Sequence, residues 1–165
     1  MFGEAFGHVF ESLLNCTLET IMHNIAILAL IATTLFAGVA LYITFVEHPA
    51  RLTLDDASAL AQWKPSYDRA LPAQGSLAIL GALFGAVSWY YSADWRWLAG
   101  SIILFANWPF TLLVIMSVNR RLKTIEPADA GAQCRVLLQR WGTLHSVRSV
   151  LGALAAILFA WGLLA

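Results

Sequence analysis

Charge is what this sequence has least of. Only 12% of its 165 residues are Asp, Glu, Lys or Arg, against about 25% in an average globular domain. Ten Lys and Arg balance ten Asp and Glu, so no basic surplus exists to hold a nucleic-acid backbone. The acidic, aromatic-poor composition of a disordered chain is missing as well. Cysteine is scarce: Cys16 and Cys134 stand alone and form no CxxC, which excludes thiolate clusters and a disulfide framework. No internal repeat and no low-complexity segment appears, so the chain reads as a single domain, 1–165. Residues 1–22 contain no Lys or Arg and no small-residue cleavage site follows, which argues against a cleaved signal peptide. What is abundant is apolar: 59% of residues are hydrophobic and the mean hydropathy is +0.70. A soluble domain of this size would need far more polar surface.

The gaps between charges give the architecture. Thr20 to Val46 carries no formal charge over 27 residues, Ala70 to Ala93 over 24, Trp97 to Asn119 over 23, and Ser149 to Ala165 over 17. A hydrocarbon core about 30 Å thick needs roughly 20 apolar residues of helix. Three runs reach that length, and the fourth does if its helix begins near Thr143. The reading is all-α: a four-helix transmembrane bundle with spans at about 23–46, 75–92, 97–118 and 144–164. A soluble bundle would need a polar face on each helix, and NIAILALIATTLFAGVALYITFV has none.

Lys and Arg placement sets the orientation. The connection after the first span holds Arg51, Lys64 and Arg69, and the one after the third holds Arg120, Arg121, Lys123, Arg135 and Arg140, with Arg148 just beyond. The other side has only Arg96. Both termini are expected outside a bacterial-type inner (plasma) membrane, with two cytoplasmic loops containing short helices. At the N-terminus, Phe2, Phe6, Val9, Phe10 and Leu13 share one helical stripe, and Glu4, His8, Glu11 and Asn15 the other. That pattern fits an amphipathic helix lying on the membrane, or an outward extension of the first span. Lacking Lys and Arg, it is expected to pack on its own bundle rather than on anionic lipid.

Antiparallel topology gathers the unusual polar residues at one membrane face. The first span ends in Glu47-His48-Pro49-Ala50-Arg51, the third at Asn119-Arg120-Arg121, and the fourth opens with Trp141-Gly142-Thr143-Leu144-His145-Ser146-Val147-Arg148. Spacings of four and three put Trp141, His145 and Arg148 on one face, and Glu47 can pair with Arg51. Ionisable groups at membrane depth usually face the bundle interior, so Glu47, His48, His145 and Arg148 are candidate site residues. The plainer alternative is a Glu47–Arg148 ion pair fixing the register, with Trp141 as an interfacial anchor.

On the third span, Pro109 removes the hydrogen bond to the Phe105 carbonyl and should kink the helix. Asn107 beside it is a buried amide in need of partners. Trp108, Thr111, Leu112, Ile115 and Asn119 are expected on one face, lining a cavity or gluing helices together. Before the second span, 54–63 reads as a short amphipathic helix and Lys64 to Pro72 as a connection, with Tyr67 and Arg69 as a lid in the sharper reading. Glu126-Pro127-Ala128-Asp129 resembles a helix start, with Val136, Leu137, Leu138 and Trp141 as an apolar stripe feeding the fourth span. Small-residue faces at Gly81/Gly85 and Gly152/Ala156 suit a homo-oligomer.

Three stretches in this order, Leu41 to Ala50, Trp108 to Met116 with Asn119-Arg120-Arg121-Leu122, and Trp141 to Arg148, are similar to the anthrone oxygenase-like family of integral membrane proteins. The resemblance covers nearly the whole chain from the first span onward. It implies a four-helix membrane protein, and an activity in which some relatives oxidise an anthrone methylene to a carbonyl with O₂. The matching positions are Glu47, Pro49, Pro109, Thr111, Asn119, Trp141, His145 and Arg148; at His48 relatives carry other residues.

The residues themselves permit two chemistries. In one, His145 removes an acidic proton from a small apolar, aromatic substrate, and Arg148 and Asn119 stabilise the resulting anion, which reacts with O₂ without a cofactor. Glu47 and Trp141 complete that catalytic set. In the other, His48 and His145, with Asn107 nearby, hold a haem, or His48, His145 and Glu47 bind iron or copper, for electron transfer or sensing. Two histidines on that face are too few for a closed zinc site. A non-enzymatic lipid- or partner-binding bundle is the third class. Transport is disfavoured because no inverted repeat or pair of broken helices is visible.

Overall fold

The computed structural model describes residues 2–165, with side chains described for residue 11 and residues 13–165. Every regular element among them is helical. α1 (Phe2–Tyr42) passes into a π-helical turn (Ile43–Glu47) and the single turn α2 (His48–Arg51); α3 (Asp56–Ser92) returns. The third rod is broken into α4 (Trp95–Phe105), α5 (Asn107–Phe110), a second π turn (Thr111–Ile115) and α6 (Met116–Thr124). A short 3₁₀ turn (Pro127–Asp129) leads to α7 (Ala132–Leu164). Four rods are long and apolar enough to cross a bilayer, Leu13–Arg51, Asp56–Ser92, Trp95–Thr124 and Ala132–Leu164. The protein is an integral membrane four-helix bundle. The first and third rods each pack on the second and fourth, giving a ring in chain order with antiparallel neighbours.

Both π turns stand next to prolines. Pro49 follows the first and Pro109 precedes the second, and each removes a donor from the helical ladder. The ladder shifts to five-residue spacing, with His48 N–H donating to the Ile43 carbonyl and Met116 N–H to that of Thr111. Such a turn inserts one residue and rotates everything beyond it by about 100°.

Three expectations change. Lys64 to Pro72 is neither lid nor connection, because α3 runs unbroken through Pro65 and Pro72. Trp63 is fully buried in the core and Ser66 bonds Glu47, so packing overrides two missing backbone donors. Tyr67 is fixed and half-buried, and Arg69 is exposed. At the N-terminus, Phe2, Phe6, Val9, Phe10, Glu4 and His8 have side chains outside the described residues. Leu13, however, is 63% exposed, and among the described side chains of α1 the first that is buried is Ala26. The helix runs without a break into the first span, the alternative of an extension that the stripe also allowed. On α7, Val136 is exposed and Cys134 takes its place in the buried stripe with Leu137, Leu138 and Trp141.

Aspartates start α3 and α4. Asp55 accepts the Ser58 amide at 3.0 Å, a backbone hydrogen bond that holds its carboxyl below the usual carboxylate value. Asp94 caps α4 through the Arg96 amide at 3.0 Å. The glycines Gly81, Gly85 and Gly152 are packed against neighbouring helices within the chain. A Cβ on Gly81 would stand 2.6 Å from Thr33 and 2.7 Å from Leu104, one on Gly152 would meet Phe36 at 2.8 Å, and one on Gly85 would overlap the Phe159 ring.

Two apolar cores result. One surrounds Leu60, Trp63, Leu122 and Leu138; the other surrounds Phe36, Ala78, Leu104 and Phe159. On the last three rods the residues between the cores are polar and buried: Gln74 on α3, Asn107 and Thr111 on the third rod, His145, Arg148 and Ser149 on α7. This polar layer positions the site.

Candidate functional site

Glu47 and Arg51, one helical turn apart, form an ion pair. The Glu47 carboxylate also accepts from Ser66 Oγ at 2.5 Å and Gln62 Nε2 at 3.2 Å. Arg51 donates to Gln62 Oε1 and to His48 Nδ1 at 3.2 Å, and its guanidinium lies 5.7 Å from the centre of the Trp141 ring. The expected local Glu47–Arg51 pair is present. The alternative Glu47–Arg148 pair is not: Arg51, Gln62 and Ser66 all converge on Glu47 Oε1, and no carboxylate pairs with Arg148 among the described residues.

Trp141 is the hub. Its indole stacks on His145 (4.9 Å between centroids, 27°), tilts against His48 (5.3 Å, 54°) and meets Trp63 edge-on at 5.9 Å. Trp63 in turn stacks on Tyr67 at 4.9 Å, whose hydroxyl accepts from Asn119 Nδ2 at 3.0 Å. Gly142 makes room for this arrangement, since a Cβ there would overlap the His48 imidazole.

Donor and acceptor accounting fixes which histidine nitrogen can exchange a proton. Ser149 Oγ donates its one hydrogen to a backbone carbonyl, that of Ala40 at 2.9 Å or of His145 at 3.4 Å. It must therefore accept from Thr44 Oγ1, 2.8 Å away. Thr44, having given up its hydrogen, must accept from His145 Nδ1 at 3.2 Å. Nδ1 of His145 thus carries the hydrogen, and Nε2 is left to act, without a hydrogen-bond partner among the described residues. At His48 the assignment reverses. Arginine can only donate, so His48 Nδ1 is an acceptor and the hydrogen sits on Nε2, which is buried without a partner.

Arg148 is the exceptional residue. It is buried in the bundle interior, no carboxylate among the described residues pairs with it, and its Nε has no hydrogen-bond partner. The guanidinium lies 5.6 Å from the Phe36 ring centre. It forms part of the wall of two cavities. One, about 20 Å³ and large enough for a water molecule, also touches Gln74, Trp141 and His145. The other, about 340 Å³, lies between α3 and the third rod.

The third-rod face is split. Asn107 and Thr111 line the larger cavity's interior, Trp108 and Leu112 are exposed at its rim, and Ile115 and Asn119 turn into the core. The second π turn, lying between Thr111 and Ile115, takes the helix out of the phase that a straight wheel assumes. Asn119 borders neither cavity.

The expected metal set is not assembled. No group of three or more His, Cys, Asp or Glu positioned to hold a metal ion occurs among the described residues. Three donors converge on Glu47 Oε1, and His48 has one nitrogen engaged by Arg51 and the other carrying the hydrogen. Nor do His48, His145 and Asn107 face one space for a haem: Asn107 borders the larger cavity, His145 the smaller, and His48 neither. Missing from the expected set are Thr44, Ser149, Gln62, Ser66 and Gln74. Gln74 could have been found as the lone amide in an uncharged 24-residue run.

A family model described as anthrone oxygenase matches residues 63–158, more than half of the chain. An anthrone oxygenase of Claviceps purpurea (strain 20.1) is 24% identical over 149 residues, covering 82% of this chain and 86% of that protein. No solved structure matches the chain.

Proposed function

Because the chain belongs to the anthrone oxygenase family, we propose that it is a membrane oxidoreductase that uses O₂ to convert the activated methylene of a small, apolar aromatic ketone into a carbonyl. The observation that carries this reading is Arg148, a buried cation without a carboxylate on the wall of a cavity of about 340 Å³. A cavity of that size falls in the range of small-molecule sites, and its one charge is suited to an enolate oxygen.

The steps balance without a further reductant. Through a water in the smaller cavity, which His145 and Arg148 both border, His145 Nε2 takes one proton from the methylene, and Arg148, which also borders the larger cavity, holds the enolate that forms. The carbanion carbon reacts with O₂ and the peroxide takes up a proton. Loss of water across the C–O–O–H unit, with departure of the second methylene hydrogen, leaves C=O. One O₂ supplies one carbonyl oxygen and one water. The Thr44–Ser149 relay fixes the His145 tautomer, Trp141 holds its ring, and the Glu47–Arg51 network holds Trp141 and His48.

The test is O₂ uptake by reconstituted protein given an anthrone. One O₂ should disappear per carbonyl formed. His145→Phe should lower the rate by at least about 10² with the unfolding midpoint in detergent unchanged. An undiminished rate in this variant removes His145 from the mechanism.

The uneven spread of Lys and Arg further supports both termini outside an inner membrane and the Glu47–Trp141 end at the cytoplasmic face. Cys16 is exposed and Cys134 buried, so a membrane-impermeant maleimide should label Cys16 in intact cells and leave Cys134 unlabelled. Labelling of Cys16 only after lysis would invert the orientation.

A further inference from the structure

The larger cavity has an unusual mouth. Its inner wall is buried and polar, with Arg148, Thr111 and Asn107, whose Oδ1 has no partner. Its rim is exposed: Pro72 and Ser76 on α3, Trp108 (37% exposed) and Leu112 (50%) on the third rod. Leu112 stands 15 residues from Trp97 and seven from Asn119, the two ends of the uncharged run of its span, or roughly 22 and 10 Å of helix. At that depth the exposed surface of a membrane bundle faces hydrocarbon, not water. Across the mouth, Trp108 Nε1 donates to the Gly75 carbonyl at 3.3 Å, the one direct hydrogen bond between the two rims. Gly75 itself keeps the rim low, the only neighbour of an added Cβ being Trp108 at 3.7 Å.

We infer that the ligand enters sideways from the bilayer, between α3 and the third rod, past the Trp108–Gly75 bond, and that it is a hydroxylated aromatic molecule that crosses the mouth uncharged. A water-soluble ligand would have to cross hydrocarbon to reach this opening. An apolar ring system partitions there unaided. At the inner end such a molecule finds an acceptor for one hydroxyl in Asn107 Oδ1 and a cation for one oxygen in Arg148. The ligand class rests on the oxidoreductase reading; the route rests on the geometry of the mouth alone.

1-Naphthol, an apolar phenol, serves as the probe. It is delivered from lipid vesicles to protein reconstituted in liposomes, and association is followed by the change in naphthol fluorescence. Gly75→Leu and Leu112→Phe narrow the mouth from opposite rims, and Leu112 is exposed enough to be changed without disturbing packing. Each should slow association by about tenfold or more, while Leu83→Phe, on the outer surface of α3, should not. Equal association rates in wild type and both rim variants would overturn the lateral route, as would a failure of the wild type to bind naphthol. A wild type that binds naphthol but consumes no O₂ with an anthrone counts against the oxidoreductase reading alone, and the rim variants still decide the route.

Discussion

Replacing Arg148 with Met is expected to stop oxidation while making the protein harder to unfold. The two effects have opposite signs because Arg148 is a liability to the fold. The residue is 9% exposed, its Nε lacks a partner, and no carboxylate among the described residues offsets its desolvation. Burying an ion costs several kcal/mol even after relaxation. The Phe36 contact returns about 0.5–2 kcal/mol. Methionine fills a similar length without the charge and should raise stability by about 1–3 kcal/mol. The same substitution removes the only cation bordering the larger cavity, a change worth about 10²–10³ in turnover when one stabilising donor is lost. Arg148→Lys should keep a fraction of the rate, with charge but no fork of donors. Unfolding in detergent and O₂ uptake, measured on the same preparation, decide the matter. If Met at this position lowers both activity and stability, Arg148 is a structural residue.

How far the sequence could reveal this site depends on where the helices are regular. The spans were legible because charge is expelled from lipid, so the gaps after Glu19, Arg69, Arg96 and Arg148 mark them directly. Trp141, His145 and Arg148 were legible as one face because α7 runs unbroken from Ala132 to Leu164. Glu47, His48 and the Glu47–Arg51 pair were found, but not the Gln62 and Ser66 partners from α3, since the π turn ending at Glu47 rotates it away from the phase of α1. The second π turn splits the Trp108–Asn119 face in the same way. Pro65 and Pro72 misled for a different reason. Two prolines ordinarily end a helix, and only the burial of Trp63 and the Ser66–Glu47 bond reveal why this one continues. Thr44 and Ser149 leave no trace in composition, because a hydroxyl in an apolar run is as often bonded to its own helix, as Thr34 is to Leu30.

Glu47→Leu should be the most damaging single change, costing about 3–5 kcal/mol, the range for breaking a buried ion pair by removing one partner. Its partner Arg51 is more buried than Glu47, with side-chain exposures of 2% and 19%, so the variant strands the cation where water cannot reach it. Gln62 and His48 remain as acceptors but are neutral. The burden therefore lies in the uncompensated charge rather than in the lost contact, and this has a consequence that can be measured. Arg51→Met added to Glu47→Leu should restore most of the stability, giving a coupling of at least about 2 kcal/mol between the two sites. If the double variant is no more stable than Glu47→Leu alone, the network holds the bundle through its geometry and not through charge balance. Oxidation gives a second, independent reading. Arg51 seats on Trp141 and fixes His48, and Trp141 holds the His145 ring. A refolded double variant should therefore still turn over about tenfold or more slowly, since small misplacements of reacting groups carry that scale of penalty. Restored stability with full activity would confine the pair to folding and leave His145 positioned by Thr44 and Ser149 alone.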